Sequence, residues 1–252
     1  MARYGLIGYP LGHSFSKIIH EQLADYTYDI IPLTKEEFDP FMQGRDFAAL
    51  NVTLPYKKAV IPYLDELDAN AAAIGAVNTI VNENDRLIGH NTDFSGFEYM
   101  LTHNHVAIAG KKVLVLGNGG AAQAILAVLK KMNAGEIIIA KPRPSTETIT
   151  MEECYAHHTD AQIVVNTSPV GMYPHVDESP LDLTRFTVCE AVCDIVYNPL
   201  ETKLLAQARS LGMQAVGGIE MLVAQAVFAA EFFTGKTIDK IKIEEIAKQW
   251  EM

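Results

Sequence analysis

The sequence predicts an α/β protein containing a dinucleotide-binding unit, and three observations carry that reading. The first is the stretch Lys111-Lys112-Val113-Leu114-Val115-Leu116-Gly117-Asn118-Gly119-Gly120-Ala121-Ala122, where a largely apolar strand runs into closely spaced glycines and then an Ala/Leu/Val-rich helix. Glycines at such a turn let backbone N–H groups approach a pyrophosphate, and the helix N-terminus faces its negative charge. The spacing is G-x-G-G-A and not G-x-G-x-x-G, so a plain glycine turn between a buried strand and a helix competes with this reading. The second observation is the alternation of strand-like and helix-like segments along the whole chain, the pattern of parallel sheets covered on both faces. The third is position: the glycine-rich unit begins at Lys111, leaving a substantial N-terminal segment to hold a substrate.

The elements follow in order. Tyr4–Gly8 reads as a strand, Ser16–Ala24 as a helix and Tyr28–Pro32 as a second strand. Thr34-Lys35-Glu36-Glu37 is a capping box that opens another helix. Ala48–Thr53 is a third strand, after which Pro55 is expected to start a helix at its tolerated first-turn position. Val77–Val81 and Arg86–His90 are short strands joined by the polar turn Asn82-Glu83-Asn84-Asp85, and Phe94–His103 is a helix. Beyond Val113 come a helix over Gln123–Met132, strands at Glu136–Ala140, Ile163–Asn166 and Ala191–Ile195, a helix at Thr202–Leu211 and a last strand at Met213–Val216. Two helices, Met221–Phe233 and Ile243–Trp250, close the chain, and there is no internal repeat.

Composition narrows the function classes. The chain has 252 residues, enough for one or two domains, and the apolar and charged fractions of an ordinary globular protein. A formal net charge of −11 argues against a nucleic-acid partner or an anionic membrane surface. An acidic protein that takes an anionic ligand must build a local positive site, which makes individual lysines and arginines informative. Cys154, Cys189 and Cys193 are odd in number without C-x-x-C spacing, which points to reduced, buried thiols and a cytoplasmic location. The N-terminal residues enter a strand at once, so no signal peptide is expected, and the apolar run Met221 to Ala230 is too short and too interrupted to span a membrane. His103, His105, His157 and His158 fit no metal spacing; surface histidines and no metal are expected.

Ligands in open α/β sheets sit at the carboxyl ends of strands, so the residues that follow each strand are the candidates. After the first strand comes Gly8-Tyr9-Pro10-Leu11-Gly12-His13-Ser14-Phe15-Ser16, whose two hydroxyls beside a helix N-terminus suit a carboxylate. Either serine could equally be a helix cap. After the third strand comes Asn51-Val52-Thr53-Leu54-Pro55-Tyr56-Lys57-Lys58. A lysine just inside a helix N-terminus opposes the macrodipole, a local cost that calls for a reason, although both lysines have the alternative of solvated surface ammoniums. Gly75-Ala76-Val77-Asn78-Thr79 and Gly89-His90-Asn91-Thr92-Asp93 bracket the short hairpin; Asp93 sits where an N-cap would. Gln225, a carboxamide inside an apolar helix, is costly to bury without a partner.

Together these segments resemble the shikimate dehydrogenase family. Its motifs run here in order as G-Y-P-L-G-H-S-F-S, N-V-T-L-P-Y-K, G-A-V-N-T, G-H-N-T-D, G-N-G-G-A-A, V-N-T-S-P-V-G-M, D-I-V-Y-N-P-L-E-T and G-G-I-E-M-L-V-A-Q-A, from residue 4 to about 230. The resemblance implies an N-terminal α/β substrate domain (1–93 with the returning C-terminal helices, 218–252) and a Rossmann domain (94–217). It implies Lys57 and Asp93 as the catalytic pair, Ser14 and Ser16 on the substrate carboxylate, and Thr53, Asn78, Asp93 and Gln225 on its hydroxyls, with Tyr197 nearby. Gly117, Asn118, Gly119, Gly120, Ala121, Thr167 and Gly218 fall at its cofactor positions. The implied reaction is reversible, NADPH-dependent reduction of 3-dehydroshikimate to shikimate, by a monomer or homodimer. A quinate- or amino-analogue-using paralogue stays open, as does, more remotely, a non-catalytic ligand sensor, against which the retained Lys57 and Asp93 argue. The chain departs from the family at Lys17, usually proline, and Phe94, often glycine. Where NADP-using members carry Asn-Arg-Thr it reads Ile139-Ala140-Lys141-Pro142-Arg143-Pro144. No acid there awaits a ribose 2′-hydroxyl, and Lys141 and Arg143 suit a 2′-phosphate, so NADP is the expected cofactor; ordinary loop charge is the alternative for both.

Overall fold

The structure is a computed structural model that describes residues 3–12 and 14–250; His13 of the first motif lies outside them. It forms two compact units, one holding the residues up to Gly96 together with Val223–Lys248, the other holding Phe97–Leu222 and the residues that follow Lys248.

The elements are β1 (Tyr4–Gly8), α1 (Ser16–Leu23), β2 (Tyr28–Pro32), α2 (Lys35–Gly44), β3 (Ala49–Val52), β4 (Glu66–Leu67), α3 (Ala69–Ile74), β5 (Thr79–Glu83), β6 (Arg86–His90) and α4 (Thr92–His103). There follow β7 (Lys112–Leu116), α5 (Ala122–Lys131), β8 (Glu136–Ala140), α6 (Met151–His157), β9 (Ile163–Asn166), β10 (Ala191–Asp194), α7 (Lys203–Ser210), β11 (Gln214–Val216), α8 (Ile219–Thr234) and α9 (Ile241–Ala247).

In the first unit a six-stranded sheet runs β2-β1-β3-β5-β6-β4. It is mixed, not parallel as the alternation suggested: β1 lies parallel to β2 and β3, but β5 is antiparallel to both β3 and β6. The cause is the β5–β6 hairpin. Asn84 and Asp85 both adopt positive φ (54° and 68°), the backbone of a two-residue turn whose twist matches its strands. Ile7, Leu50, Ile80 and Leu87 are fully buried on this sheet and pack with Phe38 and Met42 of α2. The capping box is present, with Thr34 N–H donating to Glu37 Oε2 at 2.9 Å.

The expected helix after Pro55 does not form. Residues 54–60 make consecutive turns, followed by a short 3-10 turn at Ile61–Tyr63. Tertiary bonds hold this segment in place of a helical ladder: Tyr56 donates its hydroxyl to the Leu33 carbonyl (2.6 Å) and stacks on Phe38, and Val77 N–H donates to the Lys57 carbonyl (2.8 Å). The macrodipole argument about Lys57 therefore does not apply.

The second unit carries a five-stranded, wholly parallel sheet, β11-β10-β9-β7-β8. Val113, Leu114, Val115, Val164, Val165 and Val192 are fully buried, as expected for central strands covered on both faces. All three cysteines are free and buried; Cys193 lies within β10, and burial pushes its thiol up to about 12. His103, His105 and His157 are exposed as expected and His158 is half-buried, whereas His20 is fully buried in α1 and stacked on Tyr28.

Candidate active site

In the first unit, four connections lie at one end of the sheet's interior strands. Ser14 and Ser16 follow β1, Thr53 and Lys57 follow β3, and Asp93 follows β6, which runs parallel to both. Asn78 precedes β5; because that strand is antiparallel, its start lies at the carboxyl ends of the others. The hairpin thus delivers residues from two connections to the same place.

At the start of α1, Ser14 Oγ accepts from Ser16 N–H at 3.2 Å, and Phe15 occupies the N-cap position without a side-chain cap bond. Both serines are half-buried. Gly8 lets β1 pass close to Thr53, since a Cβ there would lie 2.5 Å from Thr53 Cγ2. Gln225 is half-buried on α8.

Asp93 is not the helix cap. The helix begins one residue earlier, and Asn91 Oδ1 accepts from Phe94 N–H (3.3 Å), which makes Asn91 the cap. That leaves the Asp93 carboxylate free for other partners, and each oxygen has one. Oδ2 accepts from Lys57 Nζ at 2.5 Å and Oδ1 from Asn78 Nδ2 at 3.0 Å. The side chains of Lys57 and Asp93 are only 14% and 12% exposed, a partly desolvated ion pair with limited access to water. Lys58 is exposed, as a surface ammonium should be.

Asn51, Thr79 and Thr92 are buried behind Asn78, the partner of Asp93, and each is hydrogen-bonded to Asn78; the sequence reading used none of them. Their signal was available: a carboxamide and a hydroxyl on buried strand positions need partners. Among the described residues no cluster of three or more His, Cys, Asp or Glu side chains could hold a metal ion.

In the second unit, Gly117 adopts φ +96° after β7, with its N–H donating to the Ala140 carbonyl (2.9 Å). A side chain at Gly117 would press on Thr167 Oγ1 at 3.0 Å, whereas one at Gly119 would meet nothing. Ala121, the N-cap of α5, offers no side-chain cap; Ala122 N–H donates to the Gly119 carbonyl (3.1 Å), and the next first-turn N–H groups have no helical partner, beside Asn118 and Gly120. Orphan donors, positive dipole and an open glycine are what a diphosphate requires, so these residues fit a dinucleotide. Thr167 is buried and donates its hydroxyl to the Leu116 carbonyl (2.8 Å). After β8, Lys141 is half-buried and Arg143 exposed, on a loop braced by Ser145 N–H donating to Thr148 Oγ1 (2.7 Å). Gly218 is dictated by packing, since a Cβ would run into the Ile195 carbonyl. Burial raises the Tyr197 phenol, keeping it protonated, and Asp194 is buried with its carboxylate bonded by Thr202 and Asn166.

The chain is similar to known proteins over nearly its whole length. A family profile described as the shikimate dehydrogenase substrate binding domain matches residues 6–80. The shikimate dehydrogenase (NADP(+)) of Shouchella clausii is 35% identical over 270 residues, covering 98% of each chain. Among solved structures, the chorismate mutase/shikimate 5-dehydrogenase fusion protein of Clostridium acetobutylicum superposes with TM-score 0.92 at 36% identity, over 99% of this chain and 97% of that one. The shikimate 5-dehydrogenase of Thermus thermophilus, solved with NADP(H) and shikimate, gives 0.87 at 30% identity over 99% and 100%.

Proposed function

The chain belongs to the shikimate dehydrogenase family, and from that premise we propose that it reversibly reduces 3-dehydroshikimate to shikimate with NADPH, a step toward chorismate and the aromatic amino acids. The observation that carries the chemistry is the Lys57–Asp93 pair, largely shielded from water at the carboxyl ends of β3 and β6, where the substrate-side motifs lie.

When bound, NADPH supplies the hydride. Hydride arrival turns the ring ketone into an alkoxide, so negative charge grows on one oxygen. Lys57 Nζ stabilises that charge and delivers a proton to it; in the oxidative direction the pair receives the hydroxyl proton. Asp93 holds the Lys57 ammonium in place through Oδ2. Ser14 and Ser16 bind the substrate carboxylate, Thr53, Asn78, Asp93 and Gln225 its hydroxyls, and Tyr197 is a further substrate neighbour. In the second unit Gly117, Asn118, Gly119, Gly120 and Ala121 receive the pyrophosphate and Lys141 and Arg143 the 2′-phosphate, with Thr167 and Gly218 completing the cofactor site.

The test is nicotinamide absorbance with shikimate and with quinate, each against NADP and NAD. Shikimate with NADP should give the highest kcat/KM; quinate or NAD in first place would overturn that part of the reading. Lys57→Ala should lower kcat by about 10²–10⁴-fold, the range for lost acid–base help, with a far smaller change in KM. Near-wild-type turnover would remove Lys57 from the chemistry.

A further inference from the structure

Behind Asp93 the hydrogen bonds run in one direction, and that direction can be assigned from fixed points. Asn51 Nδ2 lies 3.2 Å from the Asn78 main-chain carbonyl, an obligatory acceptor, which fixes the Asn51 amide with its nitrogen on that side. Its Oδ1 then accepts from the Tyr28 hydroxyl at 2.7 Å, and its second N–H donates to Thr79 Oγ1 at 3.1 Å. Having accepted there, Thr79 has one proton to give, and of its two remaining neighbours Asn78 Oδ1 at 3.0 Å is nearer than Thr92 Oγ1 at 3.2 Å. The Asn78 amide is fixed independently, because its Oδ1 also accepts from Thr92 main-chain N–H at 2.7 Å. Nδ2 of Asn78 is thereby turned toward Asp93 Oδ1.

From these points we infer that Thr79 is a positioning residue of the site described above, an inference that rests on the Lys57–Asp93 reading. Its hydroxyl is the hub through which Tyr28 on β2 and Asn51 on β3 lock the Asn78 amide, and through it the Asp93 carboxylate. Thr79 is fully buried, so it does not touch substrate. Four donors in series, Tyr28 to Asn51 to Thr79 to Asn78 to Asp93, all point at a carboxylate, and bonds aligned this way polarise one another. The Thr92 hydroxyl accepts from Asn78 Nδ2 at 3.0 Å and lies 3.2 Å from both Asn78 Oδ1, to which it donates, and Thr79 Oγ1, closing the network from the side of α4. The arrangement needs a hydroxyl at residue 79 for a specific reason: it must accept from one amide and donate to another at once. Valine has the same shape and can do neither.

The experiment measures kcat and KM for shikimate oxidation with NADP in Thr79→Val, Thr79→Ser and Tyr28→Phe, alongside thermal unfolding of each. Thr79→Val should lose about 10-fold in kcat, the equivalent of about one buried hydrogen bond, with KM changed less than kcat. Thr79→Ser should restore kcat to within about threefold of wild type. Tyr28→Phe, which removes only the far hydroxyl, should lose roughly 2- to 5-fold in kcat. A folded valine variant with wild-type kcat, or a serine variant as impaired as valine, overturns the inference. Should the valine variant fail to fold, Tyr28→Phe decides: the stated loss supports the chain of donors, and unchanged kcat overturns it. A wild-type protein unable to oxidise shikimate overturns the functional reading itself and this inference with it.

Discussion

Asp93 has a donor on each carboxylate oxygen, Asn78 on Oδ1 and Lys57 on Oδ2, and that decides what an amide in its place would do. Asn at this position must turn its NH2 toward one of the two donors whichever way it lies, so Asp93→Asn costs a charge and creates a donor–donor clash. We expect kcat to fall by about 10²–10⁴-fold while the start of α4 survives, because Asn91 and not Asp93 caps it. Paired measurement of kcat and thermal unfolding separates the cases; retained turnover with a large loss of Tm would make Asp93 structural. Lys57 and Asp93 were legible in sequence because each stands in a dense ordered motif. Asn51 shares its motif with Lys57, and Thr79 shares one with Asn78, yet neither showed a role, since their partners are set by strand pairing: Asn51 lies opposite Thr79 only once β3 and β5 are registered antiparallel.

The elements themselves were legible where local chemistry fixes them and obscure where tertiary bonds do. The Thr34 capping box and the strand–glycine–helix unit at β7–α5 carry their own signals and appear where expected. The segment 54–60 lost its expected helix to the Tyr56–Leu33 and Val77–Lys57 bonds, which join residues remote in sequence. The first sheet became mixed because of a two-residue turn. Helix α1 holds a further surprise in His20, sealed among Tyr26, Tyr28 and Phe233, with Nδ1 bonded to the Tyr26 hydroxyl (2.7 Å). Burial pushes its imidazole down from 6.5 to about 3, so the folded protein holds it neutral. The unfolded chain takes up a proton below about pH 6.5 that the folded chain refuses until about pH 3. This contribution to stability is complete above the unfolded value and is lost as pH falls through that window, at a slope of up to about 1.4 kcal/mol per pH unit. His20→Phe, which keeps an aromatic ring on Tyr28, should flatten the acid side of the stability profile measured by urea unfolding between pH 7 and pH 4. Parallel profiles for variant and wild type would show that His20 does not carry it.

At the scale of the whole molecule, charge opposes the proposed ligands: a chain of net charge −11 is asked to bind an anionic acid and a polyanionic dinucleotide. Two fields of different reach act on a 2′-phosphate. The background of the acidic molecule repels it from a distance, whereas in the proposed cofactor site Lys141 and Arg143 attract it at contact range. Salt separates them, because the screening length falls from about 30 Å at 0.01 M to about 10 Å at 0.1 M and about 3 Å at 1 M. The first increase screens the background and leaves charge-assisted contacts largely intact; the second reaches the contacts, above all at exposed Arg143. The ratio of kcat/KM for NADP over NAD should therefore rise from low to moderate salt and fall again toward 1 M. Replacing Lys141 and Arg143 together by alanine leaves only the background. The ratio should then be smaller at moderate salt, mainly through weaker NADP use, and should lose its decline at high salt. An unchanged ratio in the double variant would place the reading of the 2′-phosphate outside this loop. A wild-type ratio that falls steadily from the lowest salt would show instead that contact charges dominate the molecular background throughout.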